Sequence, residues 1–568
     1  MRPLTAAALC KPEYVVEGAA SFSVSPKLNE EHPSTLTKHS KGDQDTGPSP
    51  EYTNRQARDP KKLSESCLLS PHESRPSARA PCTYLYLLYT MLIEHRLAIP
   101  DDLKARITEL EKLFTITPDQ LSHIVDSFIG ELEKGLRGDE GHDIPMIPTW
   151  VQGYATKDES GSYLAIDMGG TNVRVCEVTV LGNGQYDLSQ AKYRIPEELK
   201  HGERDPLFEH IAKCVRKFID DHHEGDMMNM PIGFTFSYPC SQDAIDHGVL
   251  QRWTKGFDVK DTEGVDVVPV FDAQLKKQGL EAKTTALIND TTGTLIASNY
   301  VDPEMQIAVI FGTGCNAAYM ETLEHIPKLH HLQCDKSTPM AINCEWGAFA
   351  LTPRTNYDAL IDEQSPRPGQ QKFEKMIAGL YLGEIARQVL LDYFNQGILF
   401  KGQSFDKLKE PYSLETAVLS EIELDANENL IDTQDLFSKQ FGLECDFPTL
   451  TLIRRLAELV GTRSARLSAA GVAAICKKKG IKSCHVGADG SVYAKYPHFR
   501  ERGAEALRDI FGEQGDNIKI LPAEDGSGVG AALISAVVKR LHKEGKLVSS
   551  KDEDDKDVKE VTDKVKDL

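Results

Sequence analysis

Tyr163-Leu164-Ala165-Ile166-Asp167-Met168-Gly169-Gly170-Thr171-Asn172-Val173-Arg174-Val175 is the stretch on which the fold turns. Tyr163–Asp167 reads as an apolar strand ending in a carboxylate, and Val173–Val178 reads as the strand that leaves after a glycine-rich turn. Two glycines let backbone N–H groups come close to a polyphosphate. Thr171 can donate to a phosphate oxygen. Asp167 is placed to hold Mg²⁺ through water, because this ion keeps several of its waters. Alone, the turn is read by default as an ordinary hairpin.

Working outward, Ile310-Phe311-Gly312-Thr313-Gly314-Cys315-Asn316 repeats the arrangement, with Ile307–Phe311 before the turn and Ala317–Met320 after it. Two such hairpins suggest two duplicated lobes, each offering a turn to one nucleotide. Neither is a dinucleotide fingerprint, which needs a helix after the turn, nor a Walker A loop, which needs G-K-[ST]. Between them lies Leu287-Ile288-Asn289-Asp290-Thr291-Thr292-Gly293-Thr294, a carboxylate at the end of an apolar strand and the start of a helix. Open α/β sheets put reactive groups there, and a hydroxyl nucleophile needs a proton acceptor within reach. Asp290 is the candidate base; the plain alternative is a helix N-cap.

The rest of the chain alternates strands and helices. Ile232–Phe236, Thr285–Ile288, 481–496 and 517–521 read as strands. A helix carries Leu103, Ile107, Leu110 and Leu113, and a second starts at Thr117-Pro118-Asp119-Gln120 with a capping box. That second helix buries Leu121, Ile124, Val125, Phe128 and Leu132, and Gly135 and Gly138 punctuate its end. Residues 366–395 and 449–479 read as helical, and Ala531–Glu544 as the last helix. Gly526, Gly528 and Gly530 read as a loop capping it near a nucleotide. This is an α/β pattern.

Composition bounds the function. Of 568 residues, 65 are Lys or Arg and 86 are Asp or Glu, a net charge of −21. Nucleic acid is therefore not a main partner, since phosphate backbones need a basic surface; a local site can still hold a small anion. The 12 cysteines show no C-x-x-C spacing, which reads as reduced thiols inside a cell. The first residues lack a signal-peptide core. The apolar run Cys82–Ile93 is too short to span a bilayer. Residues 1–78 are rich in Ser, Thr and Pro with balanced charge, a composition that reads as disordered. The chain divides into an N-terminal extension (1–98), an N-terminal part with leading helices and a small lobe (99–299), a C-terminal part with a large lobe and a returning helix (300–545), and a charged tail (546–568).

Further stretches stand in order beside the two hairpins: Gly233-Phe234-Thr235-Phe236-Ser237-Tyr238-Pro239, Gln251-Arg252-Trp253-Thr254-Lys255-Gly256-Phe257, Asn343-Cys344-Glu345-Trp346-Gly347, and Ser365-Pro366-Arg367-Pro368-Gly369-Gln370-Gln371 followed by Phe373-Glu374-Lys375. Near the end come Ala488-Asp489-Gly490-Ser491 and Ala523-Glu524-Asp525-Gly526-Ser527. From about 100 to 545 the chain resembles hexokinases of the fungal type, in the sugar-kinase branch of the actin-like ATPases. The resemblance implies an α/β, two-lobed actin-like ATPase (ribonuclease H-like) fold with a small and a large lobe around a central cleft. It implies ATP-dependent phosphorylation of glucose, fructose and mannose at the 6-hydroxyl, the first step of glycolysis, with lobes that close on the sugar.

Carried over residue by residue, Asp290 is the base, with Lys255 bridging sugar and γ-phosphate. Ser237, Thr254, Lys255, Asn289, Asn316, Glu345 and Glu374 contact the sugar, and Gln371 is a further contact. Asp167, Met168, Gly169, Gly170, Thr171, Asn172 and Arg174, with Gly312, Thr313 and Gly314, face the phosphates; Ser491, Gly526 and Ser527 face the nucleoside. Asp167 holds Mg²⁺ through water. Leu380 departs from relatives that carry a Lys beside the nucleotide. The resemblance implies small-molecule partners (a hexose and ATP), a monomer or homodimer, and a cytoplasmic protein with room for a nuclear or mitochondrial-surface pool. The rival reading is a hexokinase-like glucose sensor, which would be expected to lose the base, the Lys or a phosphate turn; all are present. His485 and His498 read as structural or surface histidines, and Cys315 and Cys344 inside the motifs read as packing residues.

Overall fold

The computed structural model of the chain describes residues 22–23, 99–156, 158–222, 230–523 and 525–549. Two units separate, Met1–Val24 with Ile99–Leu568 and Ser25–Ala98, and the described residues all belong to the first. Most of the expected extension, the apolar run Cys82–Ile93 and the tail beyond 549 lie outside the described residues. Phe22 and Ser23 pair antiparallel with Leu188 and Asp187.

Two sheets carry one topology. In the first, β1 (Gly161–Met168), β2 (Asn172–Gly182) and β3 (Gln185–Arg194) form an antiparallel meander, and β4 (Pro231–Phe236) and β5 (Lys283–Ile288) add in parallel on the other side of β1. In the second, β6 (Met305–Phe311), β7 (Cys315–Thr322) and β8 (Pro339–Asn343) make the meander, and β9 (Cys484–Asp489) and β10 (Ile518–Pro522) add in parallel to β6. The duplication read from the two turns is therefore a duplication of whole sheets, and the fold is the two-lobed actin-like one.

Both faces of the first sheet are covered, which is why β1 is nearly continuously apolar. Leu164, Ile166 and Met168 join a small-lobe core with Phe234 and Phe271. Tyr163 and Ala165 join the main core, which continues into the large lobe. Helices α1 (Asp101–Phe114) and α2 (Pro118–Arg137) lead the chain. The Thr117 side chain accepts from Gln120 N, completing the expected capping box, and Gly138 closes α2 at φ 73°. Gly135 lies inside that helix instead of ending it: a Cβ there would stand 2.0 Å from the Ile144 carbonyl oxygen. The apolar face of α1 is Leu103, Leu110 and Phe114, while Leu113 is exposed.

Helices α3 (Arg204–His222) and α4 (Val267–Lys277) cover the outer face of the first sheet. The helices after the last strand of each sheet change sides. Helix α5 (Asp290–Val301) follows β5 but packs on β6 and β7, and α9 (Gly526–Glu544) follows β10 but packs on β1 and β4. They cross at glycines. A Cβ on Gly530 would lie 2.1 Å from the Gly293 carbonyl oxygen, and one on Gly526 would lie 2.5 Å from Thr294 Cα.

Three sequence expectations change here. The last helix begins at Gly526, five residues before Ala531, because its glycines form the crossing rather than a preceding loop. Residues 366–373 are not helical: Pro366, Pro368 and Gly369 at φ 82° break the run, and helix resumes as the short turn Glu374–Ile377 and as α6 (Leu382–Asn395). The strand from 481 stops at Asp489, where Gly490 at φ 111° turns the chain into the short helix Ser491–Lys495. The 33-residue helix α7 (Phe447–Lys479) meets expectation and runs behind the site; a Cβ on its Gly471 would stand 2.8 Å from the Trp346 ring. Helix α8 (Phe499–Phe511) completes the large lobe. Among the described residues no helix is long and apolar enough to cross a membrane.

Candidate functional site

The cleft between the sheets is built from strand ends. Asp290 opens α5, and the cap is the Asn289 side chain, which accepts from Thr291 N at 2.9 Å. Asp290 Oδ1 accepts from Thr291 N at 2.7 Å and from its hydroxyl at 3.2 Å, while Oδ2 has no recorded partner among the described residues. On the opposite lobe, Glu345 Oε1 accepts from Asn343 Nδ2 at 2.9 Å and Asn316 Nδ2 at 3.1 Å. Glu374 Oε2 accepts from Cys315 N at 3.0 Å. Glu345 Oε2 and Glu374 Oε1 likewise have no recorded partner. Each carboxylate is thus clamped by one oxygen and presents the other.

Burial dominates the charge of the pair. It raises Glu345, with Asn343 opposing, and pushes Glu374 up to about 7 although the Cys315 N–H opposes it. Each feels the next carboxylate: Asp290 raises Glu345, and Glu345 raises Glu374. Lys255 offsets both, and Arg252 offsets Glu345. Asp290, Glu345, Glu374 and Lys255, distant in the chain, therefore lie within electrostatic reach of one another.

Lys255 adopts a left-handed backbone, φ 56°, which a non-glycine residue holds only under local constraint. Its Nζ stands 5.6 Å from the centre of the Tyr238 ring. The Tyr238 hydroxyl donates to Gly169 O at 3.3 Å. A Cβ on Gly170 would lie 3.2 Å from Lys255 Cβ. The first glycine turn therefore rests directly on the lysine that reaches the carboxylates. Tyr238 was missed as a site residue; its place in the quoted motif was the only sequence signal.

The turns themselves are hairpins. Gly169 N donates to Asn172 O, and Gly312 N to Gly314 O, each at 3.0 Å. Thr171 and Thr313 stand exposed at their tips. Gly379 N and Leu380 N donate to Gly312 O at 2.8 Å and Thr313 O at 3.2 Å, so the Leu380 backbone braces the second turn. Ser491 lies against the same turn, with its N 3.7 Å from where a Gly312 Cβ would be. Asp167 Oδ2 accepts from Arg174 Nη2 at 2.9 Å and Ser527 Oγ at 2.7 Å, leaving Oδ1 without a partner among the described residues.

Several predicted contacts are otherwise engaged. The Met168 side chain is buried in the small-lobe core, so only its backbone borders the turn. Arg174 is held between Asp167 and Asp525. Gly526 is buried in the helix crossing. The Asn316 amide is fully committed, its Oδ1 accepting from Ala317 N and Glu345 N and its Nδ2 serving Asn343 and Glu345. Among the described residues, the side chains of Ser237, Thr254 and Gln371 make no hydrogen bond. Burial raises the thiols of Cys315 and Cys344, which fits packing.

Comparison with known proteins decides the family. Models described as hexokinase match residues 106–300 and 306–537. The chain is 54% identical over 465 residues to the hexokinase of Emericella nidulans, covering 80% of this chain and 95% of the relative. The chain belongs to the hexokinase family. It is therefore a phosphotransferase acting on hexoses. Hexokinase-2 of Saccharomyces cerevisiae is 49% identical over 464 residues, covering 79% of this chain and 95% of that one. A hexokinase from Schistosoma mansoni, solved in complex with glucose, superposes with a TM-score of 0.71 at 33% identity, covering 77% of this chain and 99% of that one.

Proposed function

We propose that this hexokinase transfers the γ-phosphoryl group of ATP to the 6-hydroxyl of glucose, fructose or mannose, with Asp290 as base. The observation that carries the reading is the set of clamped carboxylates meeting Lys255. Asp290 Oδ2 takes the hydroxyl proton, and the hydroxyl oxygen then bonds to the phosphorus as ADP leaves.

Glu345 and Glu374 each offer one oxygen to a ring hydroxyl. Ser237, Thr254, Asn289 Nδ2 and Gln371 supply neutral donors and acceptors for the others. Asn316 orients Glu345. A site that pairs each hydroxyl rejects a sugar lacking one, because its own buried groups are left unpaired. Lys255 offsets charge on the transferring group, where positioning and electrostatics supply most of the rate.

The phosphates of ATP are proposed to lie against the Gly169–Asn172 and Gly312–Gly314 turns, with Ser491 and Ser527 toward the nucleoside. Arg174 acts by holding Asp167 and Asp525. Asp167 Oδ1 suits a water-mediated Mg²⁺, which when bound would neutralise phosphate charge. Water competes with the sugar as acceptor, so lobes closing on the hexose exclude it. Free thiols at Cys176, Cys214, Cys240, Cys315, Cys344, Cys445, Cys476 and Cys484 suit the proposed cytoplasmic location. A coupled assay with the three hexoses tests the reading; turnover of none of them defeats it.

A further inference from the structure

Arg367 sits on the large-lobe side, in the broken segment before Glu374. Its Nη2 donates at 3.0 Å to the carbonyl oxygen of Trp253, which belongs to the small-lobe core. That hydrogen bond spans the cleft, and Trp253 O is the only partner recorded for the Arg367 guanidinium among the described residues. A cation donating to a carbonyl makes a stronger bond than a neutral donor.

Both ends are anchored. The Arg367 carbonyl accepts from Lys375 Nζ at 2.9 Å, and the buried Lys375 also donates to Asp362 at 2.6 Å and to Ser365 Oγ at 2.9 Å. Trp253 is 3% exposed, and its indole N–H donates to Val259 O at 3.0 Å. The carbonyl that Arg367 holds immediately precedes Thr254 and the left-handed Lys255. Glu374 immediately precedes the lysine that fixes Arg367. One bond thus ties the segment carrying the bridging lysine to the segment carrying a sugar carboxylate.

We propose that Arg367 is a positioning residue, a clasp that holds Thr254 and Lys255 over the sugar when the lobes are closed. The inference rests on the proposed hexose site and adds a residue outside it. When a binding-competent state is only partly populated, apparent affinity falls by that fraction. Losing the clasp therefore weakens sugar affinity far more than nucleotide affinity.

The test uses the full chain with Arg367→Ala and Arg367→Lys. Glucose Kd is read from tryptophan fluorescence, which needs no turnover, beside KM for glucose, KM for ATP, kcat and the Tm without sugar. Arg367→Ala should raise glucose Kd and KM about tenfold, the range expected for one charge-assisted bond at a partly exposed rim. KM for ATP and Tm should stay near wild type, and Arg367→Lys should recover part of the loss. Glucose Kd within twofold of wild type in Arg367→Ala overturns the clasp. So does a rise in both KM values with a fallen Tm, which marks general damage. If wild type binds glucose without phosphorylating any hexose, the proposed reaction fails while the clasp is still judged on Kd.

Discussion

In the first sheet the strand before the glycine turn ends in Asp167 and Met168; in the second it ends in Ile310 and Phe311. Asp167 is tied to Arg174 and Ser527, whereas Phe311 is 2% exposed and stacks on Trp346 at 6.4 Å. Both turns join antiparallel neighbours. The small lobe brings Lys255 and Arg252 to the cleft, and the large lobe brings Glu345 and Glu374 from the segment after β8 and from the broken segment before α6. Duplication supplied two equal frames, and the side chains at the strand ends divided the work. Cations and the base stand on one side, and hydroxyl acceptors stand on the other, so each half is incomplete until they meet.

The strongest way to break that division is Asp290→Ala. We expect kcat to fall about 10²-fold or more, the range for a lost general base, with glucose still bound; near-normal turnover in the coupled assay would remove Asp290 from its role. Lys255→Ala sharpens the other side. It should lower kcat roughly 10- to 100-fold by removing charge that offsets the transferring group, and calorimetry should still detect glucose. An unchanged kcat would assign Lys255 to the surface.

The join between the halves is tested by stability. Gly530→Val puts side-chain atoms into the Gly293 backbone, and urea unfolding should show a loss of about 1–3 kcal/mol. Gly503→Ala is the control in α8: a Cβ there meets nothing within 4 Å, so it should stabilise by up to ~1 kcal/mol. Equal effects from the two would mean the crossing is not tight.

The smallest effect concerns pH. Glu374 is raised to about 7 from 4.5, first by burial. Between those values the native state holds a proton that the unfolded chain has released, so stability falls as pH climbs from 4.5 toward 7. Glu374→Gln should flatten this slope, seen as urea midpoints that differ less between pH 5 and pH 8 than in wild type; an unchanged slope would mean Glu374 is ionised at both.

Much of the frame was legible because local rules governed it. The Thr117 capping box, the apolar face of α2, both hairpin turns and the span of α7 follow from residues within a few positions of each other. The errors were of two kinds, local breakers overrun by periodicity and places where distant atoms decided. Periodicity ran a helix through Pro366–Gly369 and a strand through Gly490, although proline and a left-handed glycine end such elements. Gly526, Gly528 and Gly530 looked like a loop because nothing nearby in sequence reveals that Gly293 lies against them.

The site divides in the same manner. Asn316 and Arg174 have the chemistry of contact residues, and the resemblance put them in the site, but their polar groups are committed to Glu345, Asn343, Asp167 and Asp525. By itself the sequence determined which residue types could bind a hydroxyl ring and a phosphate chain, and that two similar turns frame them, because side-chain chemistry and short-range backbone preference travel with the residue. Only the tertiary structure decided which carboxylate oxygens are clamped and which are free, that the two terminal helices exchange sheets, and that Arg367 reaches Trp253. Each depends on which groups distant in the chain are buried together, and burial sets both the hydrogen-bond partners and the charge.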